Sequence, residues 1–188
     1  MLLIRQAAVY APEYLGVRDV LVCGGVIEAV EEQIEGELPF CKVIDGRGKK
    51  LTPGFIDPHV HITGGGGEGS FHTQVPPVKL SELLQGGVTS LVGLLGTDGI
   101  SRNMESLLAR GKALKEEGLT VYLCTGSYGY PSVTLTGDIR KDIMFVEEII
   151  GVKLALSDHR APNVTLDELV RLASDARVAG MLSGKCGM

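Results

Sequence analysis

Leu51-Thr52-Pro53-Gly54-Phe55-Ile56-Asp57-Pro58-His59-Val60-His61-Ile62-Thr63 separates two different rhythms in this chain of 188 residues. Upstream of it, short runs of Val, Ile, Leu and Cys at residues 3–10, 19–23, 26–30 and 41–44 read as strands. Gly24-Gly25 suits a hairpin turn, and Asp45-Gly46-Arg47-Gly48-Lys49-Lys50 is a second turn cluster. Residues 1–50 are therefore predicted to form a small β unit. Downstream, apolar runs at 55–62, 90–95, 121–125 and 152–156 alternate with helical spacing over 79–85, 104–117, 139–150 and 165–178. Thr165-Leu166-Asp167-Glu168 has the form of a capping box, and Gly118 fits a helix stop. Apolar strands buried on both faces, each followed by a helix, predict a parallel sheet over residues 51–188. Gly180-Met181-Leu182-Ser183-Gly184 is expected to lead toward a fifth strand. The count is about four βα units, where a closed parallel barrel uses about eight.

Composition narrows the function classes. A net charge of −5 with no Lys/Arg cluster argues against nucleic acid as a partner. No apolar stretch is long enough to span a bilayer, so no membrane partner is expected. The amino terminus lacks the basic and apolar pattern of a signal peptide. Cys23, Cys41, Cys124 and Cys186 are scattered without a Cys-x-x-Cys spacing, which suits buried free thiols and a cytoplasmic protein.

His59 and His61 are two residues apart at the end of an apolar run, a spacing that puts both imidazoles on one face of a strand. Neutral imidazole is the commonest metal-ligating side chain. Pro53-Gly54-Phe55-Ile56-Asp57-x-His59-x-His61 resembles the first barrel strand of the metal-dependent amidohydrolases. Within them, several further segments are similar to the isoaspartyl dipeptidases, in the same order and at similar spacings. They are Gly64-Gly65-Gly66-Gly67-Glu68, Gly87 through Asp98, Ser101-Arg102-x-x-Glu105, Thr125-Gly126-x-Tyr128 and Gly151-Val152-Lys153 through Ser157-Asp158-His159-Arg160. The resemblance covers nearly the whole chain. It implies an α/β fold, a partial TIM-like (β/α) barrel preceded by part of a small β-sandwich domain. It equates this chain with the amino-terminal half of such an enzyme.

It also implies roles. His59 and His61 would bind one metal ion of a pair. Lys153, as an N6-carboxylated lysine, would bridge two Zn2+ ions and so counts as catalytic. Tyr128 would donate to the scissile carbonyl oxygen. Glu68 would pair with the ammonium of an isoaspartyl dipeptide, Arg160 would suit a carboxylate through its forked donors, and Gly66 and Thr97 would complete the substrate contacts. In the family, further histidines and an aspartate from later barrel strands complete the metal centre. No residues here match them, so the expected partners are the missing carboxyl-terminal half of the barrel and copies of the chain in a homo-oligomer.

Each residue also has a plainer reading. Lys153 in the apolar run 149–156 is costly to bury with its charge. Either burial favours the neutral amine, which can react with carbon dioxide, or the side chain snorkels from an edge strand. Glu68 could be a solvated loop carboxylate and Arg160 half of a surface salt bridge. Tyr130 competes with Tyr128, although the Thr-Gly-x-Tyr match favours Tyr128. His72 and His159 suit hydrogen-bonded or supporting positions rather than ligation. Gly64-x-Gly66-x-x-Gly69 satisfies a dinucleotide fingerprint by letter, but it leads into Pro76-Pro77 rather than a helix. Gly184-Lys185 lacks the spacing of a phosphate loop. Two alternatives stand beside the dipeptidase reading: an amidohydrolase related to dihydroorotases or hydantoinases, and a noncatalytic truncated half.

Overall fold

The computed structural model describes residues 1–36 and 38–187. It divides into two compact units, Met1–Gly54 and Phe55–Met188.

The first unit is one five-stranded sheet. Its strands are β1 (Leu2–Tyr10), β2 (Tyr14–Cys23), β3 (Val26–Glu31), β4 (Lys42–Asp45) and β5 (Lys50–Leu51), ordered β3-β2-β1-β4 with β5 also on β1. Ala7, Val9 and Val20 form its small core. Asp19 is buried there and accepts from Arg5 Nη1 at 3.0 Å and from the amides of Gln6 at 2.9 Å and Ile34 at 3.0 Å. These bonds fasten the β1–β2 ladder where its register slips between Ile4 and Ala7.

The second unit is a four-stranded parallel sheet in the order β6 (Phe55–Val60), β7 (Val88–Gly93), β8 (Thr120–Thr125) and β9 (Ile149–Val152). Helices follow or precede each strand: α1 (Leu80–Gln85), α2 (Met104–Glu116), α3 (Ile139–Phe145) and α4 (Leu166–Ser183). Asn103, Asp138 and Thr165 cap the last three through side-chain bonds to backbone amides, and Thr165 with Glu168 closes the predicted capping box. Leu91, Val121, Leu123 and Ile149 of the sheet pack on Leu107, Leu114, Ile143, Leu172 and Ala176 of the helices. Sequential parallel strands with helical crossovers make this the partial (β/α) barrel expected from the sequence, with a separate β domain before it.

Four expectations need correction. The 139–150 helix stops at Phe145, and residues assigned to its end form β9. The fourth strand accordingly spans Ile149–Val152 rather than 152–156, so Lys153 follows it instead of lying inside it. Short apolar runs carry no period that separates helix from strand, and Val146 turns extended at φ −98°. The sheet is not buried on both faces: helices cover one side, and exposure alternates along β7 and β8. Residues 180–184 do lead toward the sheet as expected, by ending α4 at Ser183 with Gly184 closing the helix. The chain returns to the sheet only at Gly187, in a parallel bridge to Gly151. The cysteines are free, but Cys23, Cys41 and Cys124 are half-buried and Cys186 is exposed, so none is the buried thiol foreseen.

Candidate active site

The carboxyl ends of the parallel strands gather the polar groups. His59 lies near the end of β6 and His61 just past it. Their ring centroids are 5.3 Å apart and the planes are inclined at 70°, so both imidazoles reach the same side. Burial pushes both imidazoles below the ordinary histidine range; the nearby Lys153 charge adds to this at His59, and the His59 charge adds to it at His61. A neutral imidazole keeps a lone pair free for ligation. His61 Nδ1 is buried and makes no hydrogen bond among the described residues. Gly96 packs on that ring so closely that a Cβ would come 2.9 Å from Cε1.

A buried, unpartnered ring nitrogen beside a second neutral imidazole fits one part of a metal centre. Among the described residues, no group of three or more His, Cys, Asp or Glu side chains could hold a metal ion. A carboxylated Lys153 would fall outside that set. Lys153 is half-buried, and its Nζ lies 5.4 Å from the Tyr128 ring centroid.

The glycine loop is tied down behind the histidines. Gly65 and Val75 exchange amide bonds of 2.9 and 3.1 Å. Arg102 joins three segments: Nε donates to Thr63 O at 3.1 Å, Nη2 to Val75 O at 3.4 Å and Nη1 to Asp98 Oδ2 at 2.6 Å. Asp98 also accepts from the Ser101 hydroxyl and from the amides of Ile100 and Ser101. The Ser101 hydroxyl, these amides and Arg102 lower its carboxyl to about 2 against the opposing effect of burial. Gly66 lies against this carboxylate, and a Cβ there would meet Asp98 Cβ at 2.9 Å. Only glycine lets the loop lie on the Thr97-Asp98 turn.

A cavity of about 180 Å³ is lined by His61, Gly66, Thr97, Tyr128 and Arg160, among others. Tyr130 lines a different pocket, beside Asp138 and Arg140. Glu68 reaches the cavity's arginine: Arg160 Nη1 is 3.1 Å from Glu68 Oε1. Arg160 also forks onto Asp158, with bonds of 2.9 and 2.6 Å. These bonds hold the Asp158 carboxyl well below its usual range. The Tyr128 hydroxyl donates to Asp158 at 3.1 Å and faces Arg160 Nη2 at 3.4 Å. Burial, with the Asp158 bond second, raises the Tyr128 phenol, so it stays protonated at neutral pH. His159 is exposed, its Nε2 3.4 Å from Glu68, and His72 is exposed on a 3-10 turn at Phe71–Thr73.

The structure therefore brings His61, Gly66, Thr97, Tyr128 and Arg160 to one cavity, with Glu68 paired to its arginine. His59 and Lys153 stand beside it without lining it. Sequence reading missed Asp98, Arg102 and Asp158 as the groups that hold these residues. Asp98 and Asp158 were legible only as polar residues at strand ends beside Thr97 and Arg160, and Arg102 only within the Ser101-Arg102-x-x-Glu105 segment.

Comparison with known proteins places the fold in a family. The Amidohydrolase family profile matches residues 51–183. A crystal structure of β-aspartyl dipeptidase from Fervidobacterium islandicum AW-1, in complex with a β-Asp-Leu dipeptide, superposes with a TM-score of 0.91. It is 48% identical, over 97% of this chain and 48% of that one. A D-hydantoinase from a Bacillus species, with a TM-score of 0.62 and 21% identity over 96% of this chain and 38% of that one, shares the fold. Among curated sequences, a dihydroorotase of Elusimicrobium minutum is 36% identical over 51% of this chain and 22% of its own length. An imidazolonepropionase of Alkaliphilus metalliredigens is 34% identical over 49% of this chain and 22% of its own. The chain thus spans about a fifth of those two curated relatives and about half of the dipeptidase. With the family profile matched across most of its length, the chain belongs to the amidohydrolase family.

Proposed function

We propose that this chain carries the substrate-recognition part, and one side of the metal centre, of an enzyme that hydrolyses the β-aspartyl bond of isoaspartyl dipeptides. The observation that carries this reading is the Glu68–Arg160 pair at the mouth of the His61 cavity. A zwitterionic ligand can replace that pair charge for charge, its ammonium on Glu68 and a carboxylate on Arg160. Charge-assisted bonds of this kind contribute about 1.5–3 kcal/mol each. The 48% identity to a dipeptidase solved with β-Asp-Leu supports the same ligand class.

His59 and His61 would hold one zinc ion, and Lys153, once carboxylated by carbon dioxide with loss of a proton, would offer oxygens to two. When bound, such ions acidify water and polarise a carbonyl. The remaining ligands would come from segments other than those around this cavity, supplied by a carboxyl-terminal barrel half or by assembly into a homo-oligomer. Gly66 and Thr97 would hold the aspartyl portion of the ligand. Tyr128, kept protonated by burial, would turn its hydroxyl from Asp158 to the scissile carbonyl oxygen and stabilise the developing negative charge. The enzyme would work in the cytoplasm, consistent with four free cysteines.

The dihydroorotase relatives favour a second reading, hydrolysis of a cyclic amide. Such a ligand has no free ammonium for Glu68. Calorimetric titration of the chain with β-Asp-Leu and with dihydroorotate separates the two. Binding of the dipeptide in preference to dihydroorotate is expected; the reverse preference overturns the proposal.

A further inference from the structure

Asp142 lies in α3 and is completely buried, yet its four hydrogen-bond donors are all neutral. Its Oδ2 accepts from Thr125 Oγ1 at 2.5 Å and from the Leu135 amide at 2.9 Å. Its Oδ1 accepts from the Thr136 amide at 2.9 Å and the Thr136 hydroxyl at 2.6 Å. A buried carboxylate is expensive unless its bonds are satisfied, and helix packing alone would be served as well by an apolar residue. What these four bonds have in common is the loop between β8 and α3. Thr125 is the last residue of β8, Leu135 and Thr136 close the loop, and Tyr128 lies between them.

The loop is cinched further by Gly126 N, which donates to Val133 O at 2.8 Å. Thr125 also connects to the second arm of the site, because its carbonyl accepts from Lys153 N at 2.7 Å. Tyr128 O accepts from Ala155 N at 3.2 Å on the same segment. One carboxylate thus anchors both ends of the Tyr128 loop and, through Thr125, the backbone at Lys153.

We infer that Asp142 is a positioning residue. It holds the Tyr128 loop closed on β8 so that the phenol meets a ligand seated on Glu68 and Arg160. This rests on the role given to Tyr128 above. The test uses the full chain, labelled for amide and tyrosine-ring NMR, with β-Asp-Leu as the probe and Tyr128→Phe to assign the ring signal. Asp142→Asn preserves shape but turns an NH2 group toward donors. Amide exchange at Leu135 and Thr136 is expected to speed up at least tenfold, with Leu123 in the core of β8 unchanged. Adding β-Asp-Leu is expected to shift the Glu68 amide in wild type and variant alike, whereas the Tyr128 ring responds only in wild type. A packing role would not separate those two responses. An unchanged Tyr128 response in a folded Asp142→Asn variant overturns the inference. If that variant does not fold, Thr136→Val removes only the hydroxyl bond and is expected to give the same selective loss, weaker; a wild-type Tyr128 response there overturns the inference too. Absence of any ligand response in wild type would refute the dipeptide reading instead. Unchanged exchange at Leu135 and Thr136 would then still overturn the role of Asp142, and faster exchange would uphold it.

Discussion

The two ends of the parallel sheet use charge differently. At the carboxyl end, Asp98 pairs with Arg102 and Asp158 with Arg160 within their loops, and Arg160 reaches across to Glu68 beside a cavity. At the amino end, Lys112 reaches Glu148 at 2.8 Å and Lys115 reaches Glu147 at 2.8 Å, clamping α2 to the turn before β9. Lys185 there donates to three carbonyls, Ile143 at 2.7 Å, Val146 at 2.6 Å and Ile149 at 2.9 Å. It satisfies the end of α3 with a cation, where the helix dipole favours one. No ligand could exchange with the Lys185 bonds without undoing the backbone. The Glu68–Arg160 pair at the other end can be exchanged, since Glu68 is 59% exposed and Arg160 37%. On the proposed function, stability is concentrated at one rim and recognition at the other, the division seen in parallel barrels.

The largest expected effect concerns the carboxyl rim. With only His59, His61 and Lys153 as the proposed metal-binding groups, the chain alone should not hydrolyse β-Asp-Leu in the presence of zinc. Turnover in the ordinary enzyme range, roughly 1–1000 per second, would show that these groups suffice. At the amino rim, Lys185→Met should cost about 3 kcal/mol, because carbonyls lose a charged donor. Urea denaturation measures it, and β-Asp-Leu affinity in the folded variant should not change. A loss of affinity would mean that the two rims are coupled.

Asp98→Asn tests the part of the carboxyl rim that resembles the amino rim. The Asp98 carboxyl is lowered from 3.8 to about 2. Its contribution is therefore complete above pH 3.8 and lost as pH falls toward 2, and amounts to about 2 kcal/mol at pH 7. Stability of wild type and variant should converge near pH 2. A constant difference across that window would mean that the charge of Asp98 is not what holds the Thr97 turn.

The strand–helix alternation was readable because hydrophobic period and caps are local. So were His59, His61, Tyr128 and Arg160, which sit in short segments close to strand ends. Two things were not. The α3–β9 junction hides in residues 139–152, where apolar residues are too dense to show a period. The supports of the site depend on distant partners: Arg102 binds Thr63 across 39 residues, and Asp142 binds Thr125 across 17. Nothing adjacent in sequence announces such bonds, since an aspartate on a helix reads as a solvated one.

Glu68→Gln should leave folding stability within about 0.5 kcal/mol of wild type, as expected for an exposed pair. The same variant tests the central claim most directly. Affinities of wild type and Glu68→Gln for β-Asp-Leu and for its N-acetylated form are compared by calorimetry. Wild type should prefer the free dipeptide by at least tenfold, and the substitution should erase that preference by weakening the free form alone. An undiminished preference in Glu68→Gln would contradict the assignment of this rim to a zwitterionic dipeptide.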